Sequence, residues 1–511
     1  YGGDFNLGGL VGYQVGGKII NSSVNLAANV SGNDYVGGLV GYFSNGLIAQ
    51  SEVEIIGVSG DDFVGGFVGE NEDGTIRDCK VTFTGSVLGS GDNIGGFVGL
   101  NNSGHILNST VIGSEVDGNE KVGGFAGENN EGEIHYSEVE ISNRIRGTDT
   151  ITDVAHVGGL VGLNEKGTLS WSSVKVNEIS GSNYIGGLTG ESNEGDISFS
   201  TVEIVETLTV ENSFGGGLIG KNTGGAVRES TVQVQKIEAN GDDCPNYSTA
   251  GGLIGENDNG DDNGGVISKC QVNISSSLTG TAIIGGLIGK NNGQVEYCSA
   301  TSNTIEANKV ADTSGPGSIT VGGFIVGGLI GFNYSDEHYQ SGRVEFSYVV
   351  NNNKIYGEGG SVGGFVGKNG SYYFDSDVTD GFDYPRCSDL TGGIDSKNIN
   401  ADYFLGGELE FNYVNAEQIL GAGNNIGGFM GEGFGGKVQA SHATINQTVK
   451  GETSENSDQA PLNIGGFVGF TKESSFRSSF AIVGLVEGEY ENVGGFVGKT
   501  IESNFLYNFA V

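Results

Sequence analysis

The stretch "DYVGGLVGYFSNG", residues 34 to 46, wraps four glycines around one short apolar run, and a near copy, "DFVGGFVGENEDG", follows at 62 to 74. Glycine is costly to order and weakens a strand interior. A chain that writes such a phrase repeatedly needs it for geometry. The phrase GG-apolar-x-G begins at Gly8, Gly37, Gly65, Gly95, Gly123, Gly158, Gly186, Gly216, Gly251, Gly285, Gly327, Gly363, Gly427, Gly465 and Gly494, mostly 28 to 38 residues apart. The long interval from 363 to 427 holds "TGGID" at 391 to 395, which reads as a degenerate sixteenth copy completed by "GELEFNYV" at 407 to 414.

Each copy has a second half of the form G-x-I-x-x-S-x-V, as in "GTIRDCKV" at 74 to 81, "GHILNSTV" at 104 to 111 and "GDISFSTV" at 195 to 202. A unit of this size cannot bury its own apolar face, but a stack of such units can. Two strand-like runs and a third, weaker one per unit predict an all-β fold. The expected form is a single parallel β-helix (β-solenoid) of about 16 coils, continuous over 1–511, with like residues lying above one another. One expected column runs Leu10, Leu39, Phe67, Phe97, Phe125 and onward to Phe496. Others are Ile19, Ile48, Ile76, Ile106 and Val24, Val53, Val81, Val111, with a small-residue column Ser22, Ser51, Cys79, Ser109 between them. Glycine leaves no Cβ to collide where neighbouring backbones approach to about 4.8 Å, and the recurrent Asn71, Asn101, Asn129, Asn164 and Asn222 suit left-handed turns and side-chain stacking. Insertions near 241–250, 308–320, 379–404 and 451–461 read as loops leaving one edge.

Composition agrees with ordered β-structure. Glycine is 96 of 511 residues and proline only 4, with no three-residue glycine period, which excludes collagen. Apolar residues at 36% are too regular for a disordered chain. Acidic residues outnumber basic ones 63 to 24, for a net charge of −39, which repels phosphate backbones and excludes nucleic acid as a partner. No stretch approaches the roughly 20 apolar residues of a membrane span. The five cysteines form neither a disulfide framework nor a zinc spacing.

With the repeat written out, V-G-G-L-V-G-x-N-x-G-x-I-x-N-S-x-V resembles the GLUG repeat of bacterial and some eukaryotic surface proteins. Members of that family are typically large, secreted and adhesin-like, some joined to immunoglobulin-A-cleaving metallopeptidase domains. The resemblance implies a β-solenoid and an extracellular or cell-surface location. It covers essentially the whole chain, which departs from the family in its unequal repeat lengths and its acidity.

Catalytic chemistry is not expected. The five histidines, His105, His135, His156, His338 and His442, share no motif, and HExxH, GxSxG, a phosphate-binding loop and CxxC are all missing. "NDNGDDNGG" at 257 to 265 offers Asn259, Asp261 and Asn263 as the beginning of a calcium loop. Its closing Glu is absent, so it reads as a solvated acidic turn; no cofactor is expected, and weak calcium binding is the most such an acidic surface offers. One outward column reads Tyr136, Trp171, Phe199 in successive coils, a candidate strip for sugar rings or a partner. Nine sequons, at Asn21, Asn29, Asn101, Asn108, Asn246, Asn273, Asn333, Asn369 and Asn446, are candidate N-glycosylation sites. Both ends look uncapped: "NFLYNFAV" followed by "YGGDFNLGGLVG" nearly regenerates one coil. The expectation is therefore an extracellular structural subunit that self-associates end to end into a filament. The alternative is an adhesin stalk binding host protein or glycan.

Overall fold

The computed structural model describes residues 5–148, 155–241, 248–258, 260, 265–307, 325–334, 342–357, 360–370, 407–422, 424–451, 463–488 and 492–511. They form two compact units, Tyr1–Ile237 with Gly260–Gly265, and Glu238–Asn259 with Val266–Val511. Each is a parallel β-solenoid whose coils contribute one strand to each of four sheets.

The coil containing the opening phrase shows the plan. Its strands are Asp34–Gly37, Val40–Ser44, Leu47–Ala49 and Glu52–Gly60. They pair in register with the next coil: Val36 with Val64, Val40 with Val68, Ile48 with Ile76, Val53 with Val81. The second unit repeats the pattern, with Ile284 against Val326, Ile288 against Ile330, Val295 against Val344 and Ala300 against Val349. Among the described residues every strand pairing is parallel, and one isolated antiparallel bridge joins Asn130 and Lys166.

The glycine phrase is a corner. Gly37 closes the first strand, Gly38 and Leu39 turn the chain inward, and Val40 opens the second. A Cβ on Gly38 would overlap the carbonyl of Gly66 in the next coil. The third glycine answers a different constraint. At Gly69 a Cβ would stand 2.7 Å from the Tyr35 carbonyl carbon and 2.9 Å from the Phe63 oxygen, because first and second sheets press together there. Leu39, Phe67, Phe97 and Phe125 point inward from this corner and are fully buried. The phenylalanine rings stack at 4.6 Å, as Phe365, Phe429 and Phe467 do in the second unit at 4.8 and 4.7 Å.

Two polar ladders accompany these columns. Buried Asn71, Asn101, Asn129 and Asn164 sit one above another, the first three each donating a side-chain amide to the next rung's side-chain carbonyl at 2.7 to 2.9 Å and to a glycine carbonyl of their own coil. Asn291, Asn333 and Asn369 do the same in the second unit. In the small-residue column, the Ser22 amide donates to the Ser51 hydroxyl at 3.1 Å, and that hydroxyl donates to the Ala49 carbonyl at 3.0 Å. Cysteine substitutes with little loss, the Cys270 amide lying 3.4 Å from the Cys298 sulfur. Burial pushes the Cys79 thiol up to about 11, so it stays neutral in this ladder.

Four expectations change. The described residues form fifteen coils rather than about sixteen: Val362 pairs directly with Ile426, Val366 with Met430 and Val344 with Leu409, so "GELEFNYV" completes the coil that began at Gly363. "TGGID" lies outside the described residues, and it lacks the third glycine that the corner requires. A coil has four strands, because Gln50, with φ 51°, turns the G-x-I-x-x-S-x-V half so that Ile48 and Val53 fall on different sheets. The ladder asparagines stack, but they are strand residues; the left-handed positions nearby are Asp73, Ser103, Glu131 and Lys166. The insertions fall largely outside the described residues. In chain order 379–404 follows a second-sheet strand and the other three follow fourth-sheet strands, so they leave two corners rather than one edge.

Candidate functional site

The third corner projects side chains outward. The residue before the small column is left-handed at Tyr136, Trp171 and Phe199, with φ of 53°, 53° and 52°, a conformation bulky residues rarely adopt. With the chain turning there, the side chain leaves the sheet, and these rings are 59%, 52% and 37% exposed. Their centroids are 6.1 and 4.3 Å apart and nearly parallel. The three predicted residues thus come together, but as coins in a roll rather than as tiles. Each ring covers its neighbour's face and turns its edge outward, leaving only the outer faces of Tyr136 and Phe199 for a stacking ligand.

A second ridge of the same construction was not singled out from the sequence. Tyr297, Phe346 and Phe411 occupy the same left-handed corner, are exposed, and stack at 4.9 and 5.0 Å. The signal was present, since they precede Cys298, Ser347 and Asn412 of the small column. It is obscured because Asn412 is not a small residue, although its side-chain oxygen takes the Ser347 amide at 3.0 Å just as a serine would.

Where the first and second sheets press together, the opening residue of one strand faces the middle residue of the other. Charged pairs form across this groove. Lys121 Nζ lies 2.7 Å from Glu128, and His156 Nε2 lies 2.8 Å from Glu191 while its ring stacks on Tyr184 at 5.0 Å. Lys290 reaches back one coil to Glu256 at 2.6 Å. The second and third coils of the first unit hold only aromatic and acidic side chains at these two positions, Tyr35 with Tyr42 and Phe63 with Glu70. Tyr35 stacks on Phe63 at 4.7 Å and meets Tyr42 edge-on at 6.0 Å; Tyr42 stacks on Tyr13 at 4.8 Å and donates its hydroxyl to Glu72. Burial, then the charge of Glu72, pushes the Glu70 carboxyl up to about 7. Burial and the charge of Glu120 likewise push Asp92 up to about 6.

The remaining predicted residues are dispersed. His105 and His135 do not share a column: His105 pairs with Glu133 and His135 with Leu107, and both reach the Glu133 carboxylate, at 3.0 and 3.5 Å. His442 stacks between Tyr413 and Phe480, where burial lowers its pKa. His338, Asn259, Asp261, Asn263, Asn246, Cys244 and Cys387 lie outside the described residues. Cys79, Cys270 and Cys298 are buried and, among the described residues, form no disulfide. Among the sequons, Asn101, Asn333 and Asn369 are buried ladder rungs that a glycan could not reach. Asn21, Asn29, Asn108, Asn273 and Asn446 are exposed. Among the described residues, no group of three or more His, Cys, Asp or Glu side chains is placed to hold a metal ion. No helix there is long and apolar enough to cross a membrane.

Coils of this design define a glycine-rich parallel β-solenoid repeat protein. Residues 64–87, which run from the first strand of one coil into its fourth, match the model of the GLUG motif, and the other coils repeat the pattern of that segment. No curated protein and no solved structure matches the chain.

Proposed function

We propose that the chain is an extracellular structural protein without catalytic activity, a subunit of a surface filament assembled by head-to-tail stacking of coils. The observation that carries this reading is the equivalence of every rung. The outermost described coils present column positions that interior coils bury: Leu7 and Leu10 at one, Val493 and Phe505 at the other, all more than a third exposed. Phe505 lies in register with the fully buried Phe476. The register that seats coil on coil within the chain would seat coil on coil between chains, a heterologous contact that does not close. Electron microscopy of the purified chain tests it. The expected result is fibres that lengthen with concentration. Particles of one fixed size at all concentrations, or a longer natural chain that covers both faces with its own coils, would overturn it.

A second reading, an adhesin stalk that binds host protein or glycan, is favoured by the exposed Trp171 in its ridge. On a glycan array, loss of binding on Trp171→Ala supports it, and unchanged binding removes the ridge from any such role.

A further inference from the structure

Five carboxylates occupy the middle position of second-sheet strands: Glu70, Glu128, Glu191, Glu256 and Glu432. Four of them meet a basic side chain of the chain itself. Lys121 serves Glu128 at 2.7 Å, His156 serves Glu191 at 2.8 Å and Lys290 serves Glu256 at 2.6 Å. Lys368 stands 4.0 Å from Glu432, which also accepts the Ser361 hydroxyl at 2.7 Å. Glu70 is partly buried, as Glu128, Glu191 and Glu432 are, yet among the described residues it has no ion pair and no hydrogen bond. The groups that face it add negative charge, rings and, on the following rung, the aliphatic Leu100. Glu72 is two residues away on the same strand, Tyr42 is its register partner, and Tyr35 and Phe63 approach from the first sheet with Asp34 and Asp62 beside them.

The rings are placed to receive a cation. Tyr13 covers one face of Tyr42, with planes 7° apart, so the other face turns toward the next rung, which is Glu70. Elsewhere in this groove the protein uses the same contact with its own lysines: Lys221 lies 5.9 Å from the Tyr184 ring centre and Lys290 lies 5.1 Å from that of Tyr334. A carboxylate on one side and an aromatic face on the other select a soft, organic cation. A hard metal ion would want six or more oxygens, which this recess does not supply. From this geometry we propose that the recess formed by Glu70, Tyr42, Tyr35 and Phe63 binds an alkylammonium or guanidinium head group supplied from outside the chain. The site is independent of filament formation.

Calorimetric titration of the full chain at pH 8 and physiological salt tests it, with n-butylammonium and methylguanidinium as probes. One saturable site per chain is expected, weakened at least tenfold by Glu70→Gln and left intact by Glu128→Gln, whose partner Lys121 belongs to the chain. At pH 5.5 affinity falls about thirtyfold, because a carboxyl with pKa about 7 is then almost wholly protonated. Leu100 is the rung after Glu70, as Lys290 is the rung after Glu256. Leu100→Lys should therefore fill the site from within, abolish probe binding and raise the melting temperature, which also shows that the variant folds. N-acetyl-lysine amide binding as well as butylammonium assigns the site to a partner's side chain; tighter binding of spermidine assigns it to free polyamines. Equal binding by wild type and Glu70→Gln, or calcium binding more tightly than either amine, would overturn the proposal.

Discussion

Glu70 holds its proton more tightly in the folded chain than in the unfolded one, because burial and the charge of Glu72 raise its carboxyl from 4.5 to about 7. Below pH 4.5 both states are protonated and the group is neutral in the balance. As pH rises toward 7 the unfolded chain ionises freely while the folded one resists, so folding stability falls across that window. Glu70→Gln should therefore melt higher than wild type at pH 8, with the difference closing near pH 4.5. Calorimetric scans at the two pH values check this, and a difference that persists unchanged at the acid end would refute the titration account. The ladder asparagines behave in the opposite sense, since their polar atoms are satisfied. Removing Asn101 takes the acceptor from Asn71 and the donor from Asn129. Asn101→Leu should cost about 2–4 kcal/mol, the penalty of buried polar groups left unpaired. Asn101→Ser should cost less, because Ser192 already fills an equivalent rung, accepting from Asn164 at 3.3 Å and donating to the Gly195 carbonyl at 3.2 Å. Urea unfolding of the pair would show the order.

The corners are where element-level logic is most exposed to test. Ala440 stands at the third corner with φ 48°, a left-handed conformation with no ring stack to compensate it. A left-handed non-glycine residue costs roughly 1–2 kcal/mol, part of which glycine returns through its freer unfolded chain. Ala440→Gly should raise stability by about 0.5–1 kcal/mol, whereas Trp171→Gly at the same corner should lower it by removing the stack at 4.3 Å on Phe199. The same corners explain what could be seen in the letters. The apolar columns Leu39–Phe67–Phe97 and Ile48–Ile76–Ile106 were legible because in-register stacking repeats one residue type at one position. The third corner was hidden because its left-handed residue is Gln50, Asp78, Trp171 or Ala440 in different coils, so no residue type marks it. "TGGID" misled because two glycines look like the corner when three are needed. Glu70 looked like any outward acid. Its partners' cations come from seven residues earlier in Lys121 and from the following coil in Lys290, and only coordinates reveal which rung lacks one.

Register stacking also sets the electrostatics of the whole molecule. It places like over like, which rewards apolar columns and penalises charged ones, since neighbouring rungs stand about 4.8 Å apart. The chain interrupts some of these columns with opposite charge, as in Lys175 beside Glu203 at 3.2 Å and Lys437 beside Glu408 at 2.8 Å. With 24 basic residues against 63 acidic ones, most rungs have no such relief. Exposed ion pairs contribute little and are weakened by salt, while the summed repulsion of a net charge of −39 opposes the compact state and is screened by the same salt. The two effects carry opposite signs, and the imbalance of charge decides which is larger. The melting temperature should rise by several degrees between about 10 mM salt, where the screening length is about 30 Å, and 0.5 M, where it is a few ångströms. Sodium chloride and potassium chloride should act alike at equal ionic strength, because screening needs no site. n-Butylammonium should add a further increment at millimolar concentration in wild type, and none in Glu70→Gln. A melting temperature that falls with salt would mean that the ion pairs outweigh the repulsion, and that the acidic columns are better compensated than their composition implies.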